Sequence, residues 1–386
     1  MNREKESNSI SSCNSDHDFD IVVIGAGPSG CEASIAAARR GASVLCLTIN
    51  LDMVGYPPAT PVLVDDCNDR RHNLLSELAM LGGQLPKLLK SEDIVSTDKV
   101  IGRVLIDRRR LGLAWKEQME NEDGVALRQG LVVKLEASED GWKVETNFGE
   151  NFRATAVIVA AGTFLHGRVI DSGREIPGGR WAEIPSDSLV KSLQKVDIEL
   201  LEVSGRTSPR ISSRSLQDDL KGRPQSPTGD PRNSEDMRFA LSGDPRIRVD
   251  GSQPGEVLGF GLETTGNRAS QLEELRKLDG FSSAWITRGS YAVLHLVLTA
   301  GQVGENLEAI GKHGLFFSGR AAGSCNYSEA AVLGFIAGVN AASYVLEISD
   351  SLPLTTNLEF VTLLIERIAH KGKRPVTIRI DDETGC

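Results

Sequence analysis

Apolar residues fall in short runs that glycines and polar turns interrupt, a pattern that predicts alternating strands and helices. The first run, residues 21–24, is β-branched and precedes several glycines, which indicates a buried parallel strand. Residues 31–40 are rich in alanine and contain no helix breaker, so they predict a helix, and residues 42–47 predict a second strand. This order predicts a βαβ unit at the start of an α/β fold.

The rest of the chain alternates in the same way. The helix at 327–345 consists largely of small residues, so we expect it to pack closely on a sheet or a cofactor. Asn326 or Ser328 is a suitable cap for its start. Further helices are predicted at 74–81, 186–193, 271–278, 327–345 and 358–368, and the segment that begins at 104 continues into a helix that ends at 119. Further strands are predicted at 131–136, 142–146, 156–161, 291–298 and 376–380.

The glycines after the first strand have the spacing G-x-G-x-x-G, in the order Gly25, Ala26, Gly27, Pro28, Ser29, Gly30. In a dinucleotide-binding turn the first glycine permits the tight turn, the second lets a pyrophosphate approach the backbone, and the third lets the helix lie close on the strand. The amides and the dipole of the helix start would hold the phosphate charge. A tight turn without a ligand is the alternative, but the complete βαβ context favours a dinucleotide.

The end of the second strand lacks a feature of most dinucleotide sites. An Asp or Glu usually binds the ribose hydroxyls there, whereas this chain has residues 47–50 in the order Leu, Thr, Ile, Asn. Thr48 or Asn50 can hydrogen-bond a ribose instead. The apolar run at 156–161 is typical of flavoproteins with two dinucleotide folds. The motif therefore predicts an adenine dinucleotide without saying which one.

Length and charge exclude several classes of protein. The 386 residues suggest two domains that share an interface. A net charge of −10 argues against a globally basic nucleic-acid binder. The six cysteines show neither C-x-x-C nor a metal spacing, so we expect no metal and reduced, cytoplasmic thiols. No apolar run reaches membrane-spanning length, and residues 1–18 predict a disordered tail.

The segment 205–254 differs in composition from the rest. It is rich in Ser, Pro, Arg and Asp and has a local excess of positive charge. One interpretation is a mobile surface excursion. The other is a basic flap that binds an anionic substrate or RNA.

Several sequence blocks occur in a characteristic order. The first is the βαβ unit with its non-acidic second strand end, and the others are 81–83, 162–167, 178–180 with 185–186, 209–211, 288–293, and 314–320 continuing through 327–331. In these blocks, over roughly residues 19–220 and 270–347, the chain resembles the glucose-inhibited division protein A family, the flavoprotein of tRNA wobble-uridine carboxymethylaminomethylation.

The resemblance implies FAD and assigns it further contacts. Gly25 to Gly30 would hold the pyrophosphate, and the backbone of Val132 would meet the adenine. The flavin end would lie against residues of the last strand and the helix after it, with Gly162 nearby. These residues are Gly319, Arg320, Tyr327, Glu329 and Ala330.

The chain also departs from the family. The loop that carries a family cysteine reads Ala59, Thr60, Pro61, and a second family cysteine has no counterpart between 239 and 278. Only a thiol can do the chemistry of a nucleophilic thiol, so Cys67 and Cys325 are the candidates. The family's Glu-Tyr-Asp becomes Leu294, His295, Leu296, which makes His295 a candidate catalyst or a core histidine. The helical C-terminal region of the family has no counterpart.

These observations predict an FAD-binding Rossmann-type, glutathione-reductase-like α/β fold with a parallel sheet and an inserted smaller α+β domain. The FAD-binding domain would comprise 19–195 and 311–348. The inserted substrate or cap domain would be 196–310, and 349–386 would form a helix–strand tail.

Three functions fit this fold. The first is an FAD-dependent oxidoreductase that moves hydride through flavin N5 to or from a small molecule, with NADH or NADPH as a candidate donor. The second is a tRNA wobble-uridine modifier that contacts RNA through 205–254. The third is a non-catalytic flavin-binding partner protein. The general acid or base would come from Tyr291, His295, Glu329 and His166, and a homodimer is a candidate assembly.

Overall fold

The structure is a computed structural model that describes residues 17–58, 62–64, 73–95, 103–216, 246–249, 255–260, 266–277, 281–349 and 358–370. Its strands are β1 (His17–Ile24), β2 (Val44–Thr48), β3 (Val62–Val64), β4 (Arg103–Leu105), β5 (Val125–Gln129), β6 (Val132–Ser138), β7 (Gly141–Thr146), β8 (Asn151–Val159), β9 (Arg168–Asp171), β10 (Arg174–Pro177), β11 (Leu200–Thr207), β12 (Arg210–Ser212), β13 (Arg246–Val249), β14 (Glu256–Phe260), β15 (Ile286–Arg288), β16 (Tyr291–Leu298) and β17 (Leu315–Phe317).

The helices are α1 (Pro28–Arg39), α2 (Leu74–Leu81), α3 (Leu85–Leu88), α4 (Arg108–Asn121), α5 (Asp187–Lys195), α6 (Arg268–Arg276), α7 (Tyr327–Val345) and α8 (Glu359–Ala369). The helices and strands predicted from the sequence are confirmed wherever the described residues cover them. The predicted strand at 376–380 lies outside those residues. β1 begins at His17, so residues 17 and 18 of the predicted tail belong to a strand. Residues 1–16 lie outside the described residues.

The main sheet is parallel at its centre. β1 pairs in parallel with β2 and with β8, β2 pairs with β5, and the end of β8 pairs with β17. The antiparallel strands β7 and β6 extend from the first half of β8. Residues 21–24 and 156–159 are fully or almost fully buried at the centre, as expected of strands covered on both faces. The predicted parallel sheet is confirmed.

Helices α1 and α7 pack so closely that only glycine fits between them. A Cβ added at Gly334 would lie 2.2 Å from the Ser29 carbonyl oxygen, and one at Gly338 would lie 2.3 Å from the Ala33 carbonyl oxygen. This contact explains the small residues of α7. By length and composition α7 would suit a membrane span, but 89% of that window is buried inside the fold, as in the core helix of a globular domain.

Among the described residues, two four-stranded antiparallel sheets lie beside the main one, and β3 and β4 form a separate two-stranded antiparallel sheet. The first has the order β10-β9-β16-β11, and the second has the order β13-β14-β12-β15. The sequence did not predict β9 and β10. They lie within the segment 19–195 that we predicted to belong to the FAD-binding domain, yet β9 pairs with β16 of the predicted inserted domain. The predicted domain boundaries stay a prediction.

Helix α8 is attached to the main body by a buried carboxylate. Glu77 on α2 accepts hydrogen bonds from the backbone N–H groups of Phe360 (3.1 Å) and Val361 (2.8 Å). These amides lie in the first turn of α8, where the helix itself supplies no acceptor. The negative charge of Glu77 also suits the positive end of the helix dipole. The tail helix is therefore bound to the core.

Candidate functional site

The glycine turn after β1 has the geometry that its sequence predicts. Gly25 has φ +108°, and a Cβ there would lie 2.4 Å from the Ala160 carbonyl oxygen at the end of β8. A Cβ on Gly30 would lie 1.7 Å from the Gly25 carbonyl oxygen. Pro28 occupies the first turn of α1, where its missing N–H costs nothing. Positions 25 and 30 therefore admit only glycine, because a side chain at either would clash with the backbone.

Gly27 differs from Gly25 and Gly30 because no atom of the described residues beyond its chain neighbours lies within 4 Å of an added Cβ. It is the N-cap of α1 and has no side-chain cap. The amides of Ala26, Gly27, Ser29 and Gly30 donate no hydrogen bond to another described residue. Free amides at a helix start attract an anion through their partial positive charge. A cradle of this kind fits the pyrophosphate of FAD.

The carboxyl ends of the parallel strands bring distant segments to this turn. The Ser29 and Ser318 hydroxyls are 2.5 Å apart, and a Cβ on Gly319 would lie 2.6 Å from the Ser29 Cβ. Gly162 follows β8 with φ +60°, and a Cβ added there would lie 3.9 Å from the ring of Phe164 and meet no other described residue beyond its chain neighbours within 4 Å. The sheet therefore places the glycines after β1, β8 and β17 at one edge, where α/β proteins bind ligands.

The predicted ribose and adenine contacts lie at the end of β2. Thr48 Oγ1 is 3.4 Å from the Asn50 amide nitrogen, and Asn50 Oδ1 accepts the Asp52 N–H at 2.9 Å. The Thr48 carbonyl accepts the Gly130 N–H at 2.8 Å, so the chain just before Val132 lies beside this end. Val132 itself is buried. The structure brings the three residues together, and their contacts with a cofactor stay a prediction.

Protein side chains, rather than open space, satisfy the start of α7. Asn326 caps the helix by accepting the Glu329 N–H at 2.9 Å. The buried Glu329 carboxylate accepts the Cys325 N–H at 2.6 Å and pairs with Arg367 of α8 at 2.5 Å. Ala330 follows in the buried face. Arg367 gave no signal in the sequence, because its pairing depends on how α8 docks.

Tyr327 is joined to two other elements through its hydroxyl group. The hydroxyl donates to the Gly55 carbonyl and accepts the Trp115 indole N–H, at 2.9 Å. Burial raises the pKa of Tyr327 well above its usual range, and the nearby Cys31 adds to this rise. A phenol in this state stays protonated and connects α7, α4 and the loop after β2. Sequence reasoning missed Trp115 and Gly55 as its partners.

Arg320 and His295 form a buried pair beside α7. The Arg320 Nε–H donates to His295 Nε2 at 2.8 Å, and Nη1 donates to the Ser324 carbonyl at 2.8 Å. Burial, together with the Arg320 charge, lowers the pKa of His295 to about 3. His295 is therefore neutral, with its proton on Nδ1 facing the Val293 carbonyl at 3.2 Å. This geometry favours a role in holding Arg320.

One donor of Arg320 is left for a ligand. Its Nη2 is buried and has no acceptor among the residues that the structure describes, which costs free energy until an acceptor arrives. An oxygen of a bound cofactor would satisfy it. The residues present therefore fit FAD at both ends, at the α1 amides and at Arg320.

The other candidates divide between described and undescribed parts of the chain. His166 Nδ1 lies 2.8 Å from Asp187 on the surface, and the Tyr291 ring lies against Trp181 at a tilt of 50°, with ring centroids 5.9 Å apart. Cys67 lies outside the described residues, as do 217–245 and 250–254 of the segment 205–254. In the part of the chain that the structure describes, no group of His, Cys, Asp and Glu is arranged to hold a metal.

The fold is an FAD-binding Rossmann-type α/β fold. Its solved neighbours include Aquifex aeolicus GidA, with a TM-score of 0.79 and 23% identity, over 91% of this chain and 67% of that one. E. coli quinol fumarate reductase FrdA matches with a TM-score of 0.54 and 13% identity, over 92% of this chain and 74% of that one. The fold class that the sequence predicted is confirmed.

The chain belongs to the glucose inhibited division protein A family, whose model matches residues 20–231 and 246–349. Among its relatives are proteins called tRNA uridine 5-carboxymethylaminomethyl modification enzyme MnmG, from Exiguobacterium sibiricum and Caldicellulosiruptor saccharolyticus. Each is 29% identical over 92% of this chain and 66% of its own length. The chain therefore spans slightly less than two thirds of these relatives. The resemblance found in the sequence is confirmed, and the small-molecule interpretation gains no support.

Proposed function

We propose that this chain is an FAD-dependent enzyme that modifies the wobble uridine of tRNA. The observation that carries the proposal is the uncapped start of α1, with free amides and open space at Gly27, in a chain of the GidA family. The names of the relatives supply the substrate class. We expect the protein to act in the cytoplasm, and a homodimer and NADH or NADPH as electron donor are further parts of the proposal.

The chain's own residues would bind and orient the cofactor. The α1 amides would hold the pyrophosphate, Thr48 and Asn50 would hydrogen-bond the ribose, and Arg320 would offer Nη2 to an oxygen at the other end. FAD supplies hydride transfer when it is bound. His295 keeps Arg320 in place by accepting its Nε–H, and Tyr327 holds the start of α7 against the loop after β2.

Cys325 is the candidate thiol that the structure describes. It lies directly before α7, is partly exposed and forms no disulfide, and its amide is held by Glu329. If this thiol does the work of the family cysteines, then Cys325→Ser abolishes tRNA modification and leaves FAD bound. If FAD and modification both persist in Cys325→Ser, then the nucleophile is elsewhere, and Cys67 is the next candidate.

The test combines cofactor binding with tRNA chemistry. We expect the purified protein to show a flavin absorption spectrum, and Gly27→Val to lose it, because the added side chain fills the phosphate cradle. Gly255→Val is the matched control, since an added Cβ there also meets no described residue within 4 Å and Gly255 precedes β14, which belongs to a different sheet from the turn. Expression in a bacterial strain without its own family member should restore the modified uridine, measured by mass spectrometry of tRNA nucleosides.

Two results would contradict the proposal. A colourless protein that takes up no added FAD would refute the cofactor assignment. A protein that carries FAD but leaves the tRNA nucleosides of the deletion strain unchanged would refute the substrate assignment. The second result would favour a non-catalytic flavin-binding protein or a different substrate.

A further inference from the structure

A cavity of about 660 Å³ lies between the loop after β2, helix α4 and the strands around β15. Its walls include Tyr56 of the loop, Leu113 of α4 and Tyr291 of β16. Its volume is that of a small-molecule site. The same loop carries Gly55, whose N–H donates to the Ala26 carbonyl at 2.8 Å. The cavity therefore borders the cofactor turn without including its glycines.

The charged side chains that line this cavity do not balance. Arg109, Lys116, Arg180, Arg210 and Arg288 face Asp52, Glu183 and Glu256. Each carboxylate is already paired with one of the cations: Asp52 with Lys116 at 3.8 Å, Glu183 with Arg180 at 2.6 Å, and Glu256 with Arg210 at 3.1 Å. The positive charges of Arg109, at the exposed edge, and of Arg288, in the wall, remain in excess.

Arg288 has an unused hydrogen-bonding edge. Its Nε and Nη2 are buried and have no acceptor among the described residues. The guanidinium carbon lies 5.4 Å from the centre of the Tyr291 ring, a cation–π contact that offsets part of its charge. The Nε and Nη donors of a guanidinium can bind both oxygens of a carboxylate or phosphate at once. The wall thus holds a donor pair suited to an oxyanion.

A further arginine behind the wall adds to the excess of charge. Arg108 is fully buried, and its Nη1 donates to the Pro57 and Pro58 carbonyls at 3.4 and 3.2 Å. Burial, with the nearby charges of Arg210 and Arg288, lowers the pKa of Arg108 to about 10. Burial and Arg210 also lower the pKa of Arg288. Like charges gathered away from water are costly, so an anion would stabilise the cluster.

We propose that this cavity binds the oxyanion of a nucleotide-sized ligand, a phosphate or a carboxylate, through Arg288 as the bidentate donor and Arg109 at the entrance. Binding requires Arg288 to turn its unused edge into the cavity that it lines. Trp181 and Tyr291 provide aromatic surface for a planar group on the same ligand. The inference deepens the proposed function, because it gives the substrate side of the cofactor site a binding chemistry.

The test is calorimetric titration of the FAD-loaded protein with two oxyanions and their neutral counterparts. Uridine 5′-monophosphate is compared with uridine, and benzoate is compared with benzamide. We expect saturable binding of at least one oxyanion and none of its neutral counterpart. Arg288→Met should raise Kd roughly 10- to 100-fold, since a charged hydrogen-bond pair is lost. Arg288→Lys should lie between, because it keeps the charge without the fork.

The matched control is Arg39→Met, which removes an arginine of α1 that pairs with Glu122 outside the cavity and should leave Kd unchanged. Binding of the phosphate alone, of the carboxylate alone, or of both supports the proposal and identifies the group. Absence of saturable binding to the wild type, or equal Kd values in the wild type and Arg288→Met, overturns it. If Arg288→Met does not fold, Arg288→Lys decides in the same way.

The same preparation separates this proposal from the proposed function. Flavin absorbance and tRNA modification are measured alongside the titration. Oxyanion binding that depends on Arg288 in a protein that does not modify tRNA would refute the proposed substrate and support the cavity site. Modification of tRNA without any oxyanion binding would refute the cavity site alone.

Discussion

The starts of α1 and α7 are both helix N-termini at the carboxyl edge of the parallel sheet, yet they are built in opposite ways. α1 begins without a side-chain cap, and no atom of the described residues lies within 4 Å of a Cβ added at Gly27. α7 begins with Asn326 as its cap and a buried Glu329 that pairs with Arg367. The first start leaves its positive dipole for a ligand, whereas the second neutralises it with the protein's own carboxylate. Two helix ends in one site therefore do different work.

The largest expected effect is a difference in the free energy of unfolding between alanine variants of Gly30 and Gly27, three residues apart at the start of α1. Gly30→Ala places a methyl group 1.7 Å from the Gly25 carbonyl oxygen, so we expect a loss of about 4 kcal/mol in the free energy of unfolding. Gly27 has φ −72°, and the methyl group of Gly27→Ala meets no described residue beyond its chain neighbours within 4 Å, so the apoprotein should keep its stability within about 1 kcal/mol while FAD binding weakens. Urea unfolding of the apoproteins and flavin titration measure the two effects.

Equal stability of the two alanine variants would show that the turn relaxes freely. In that case the difference between a structural and a ligand-facing glycine, on which the comparison of the helix starts depends, would be lost.

The α1 turn could be predicted from the sequence because its constraints are local. Gly25, Gly27 and Gly30 lie within six residues, and each requirement follows from backbone sterics. Helix α7 was predicted from its small residues for a related reason, since Gly334 and Gly338 must admit the backbone of α1. Glycine patterns of this kind can be recognised from the sequence alone, because their steric requirements do not depend on distant residues.

The α7 start could not be predicted in the same way. Its partners come from far along the chain, as Trp115 does for Tyr327 and Arg367 for Glu329. Such pairs form only when whole helices pack against each other. Nothing in the sequence around Trp115 or Arg367 indicates which residue each one will contact. The sequence identified Arg320 and His295 as candidates through the family resemblance, but the hydrogen bond between them required the structure.

The second expected effect tests the neutralised helix end. Arg367→Met leaves the Glu329 carboxylate, which is buried at the start of α7, without this cation. Breaking a buried pair from one side costs about 3 kcal/mol, so we expect a loss of that order together with weaker FAD binding. Urea unfolding and flavin titration provide the measurements. The control is Lys277→Met, which removes an exposed ion pair with Glu274 and should change stability by less than about 1 kcal/mol.

A third prediction concerns Glu32, the buried acid of α1. Its carboxylate accepts the N–H groups of Gln84 and Leu85 at 2.9 and 2.6 Å, but burial is the larger influence and raises its pKa from 4.5 to about 7. The folded protein thus holds this proton more tightly than the unfolded chain. Its contribution to stability is complete below pH 4.5 and is lost as the pH rises through about 7.

Glu32→Gln should remove that pH dependence. Relative to the variant, the wild type should lose on the order of 2–3 kcal/mol between pH 5 and pH 8, measured by urea unfolding at each pH. If the two proteins show parallel curves of stability against pH, then the buried Glu32 does not have a raised pKa. The contrast between Glu32 on α1 and Glu329 on α7, which is paired with Arg367, would then be lost.

The smallest expected effect concerns His295 of β16, which connects the sheet β10-β9-β16-β11 to the α7 start through Arg320. With a folded pKa of about 3 against 6.5 in the unfolded chain, its stabilising contribution is present above pH 6.5 and falls as the pH drops below that value. His295→Gln keeps an acceptor for the Arg320 Nε–H and should cost about 1 kcal/mol, whereas His295→Leu leaves that donor unpaired and should cost about 2 kcal/mol. Both variants should keep the wild-type pH profile of activity between pH 6 and pH 8, because the histidine is already neutral there. A profile that loses an ionisation in His295→Gln would instead make His295 an acid or base in the reaction, and Arg320 would have to release it when the substrate binds.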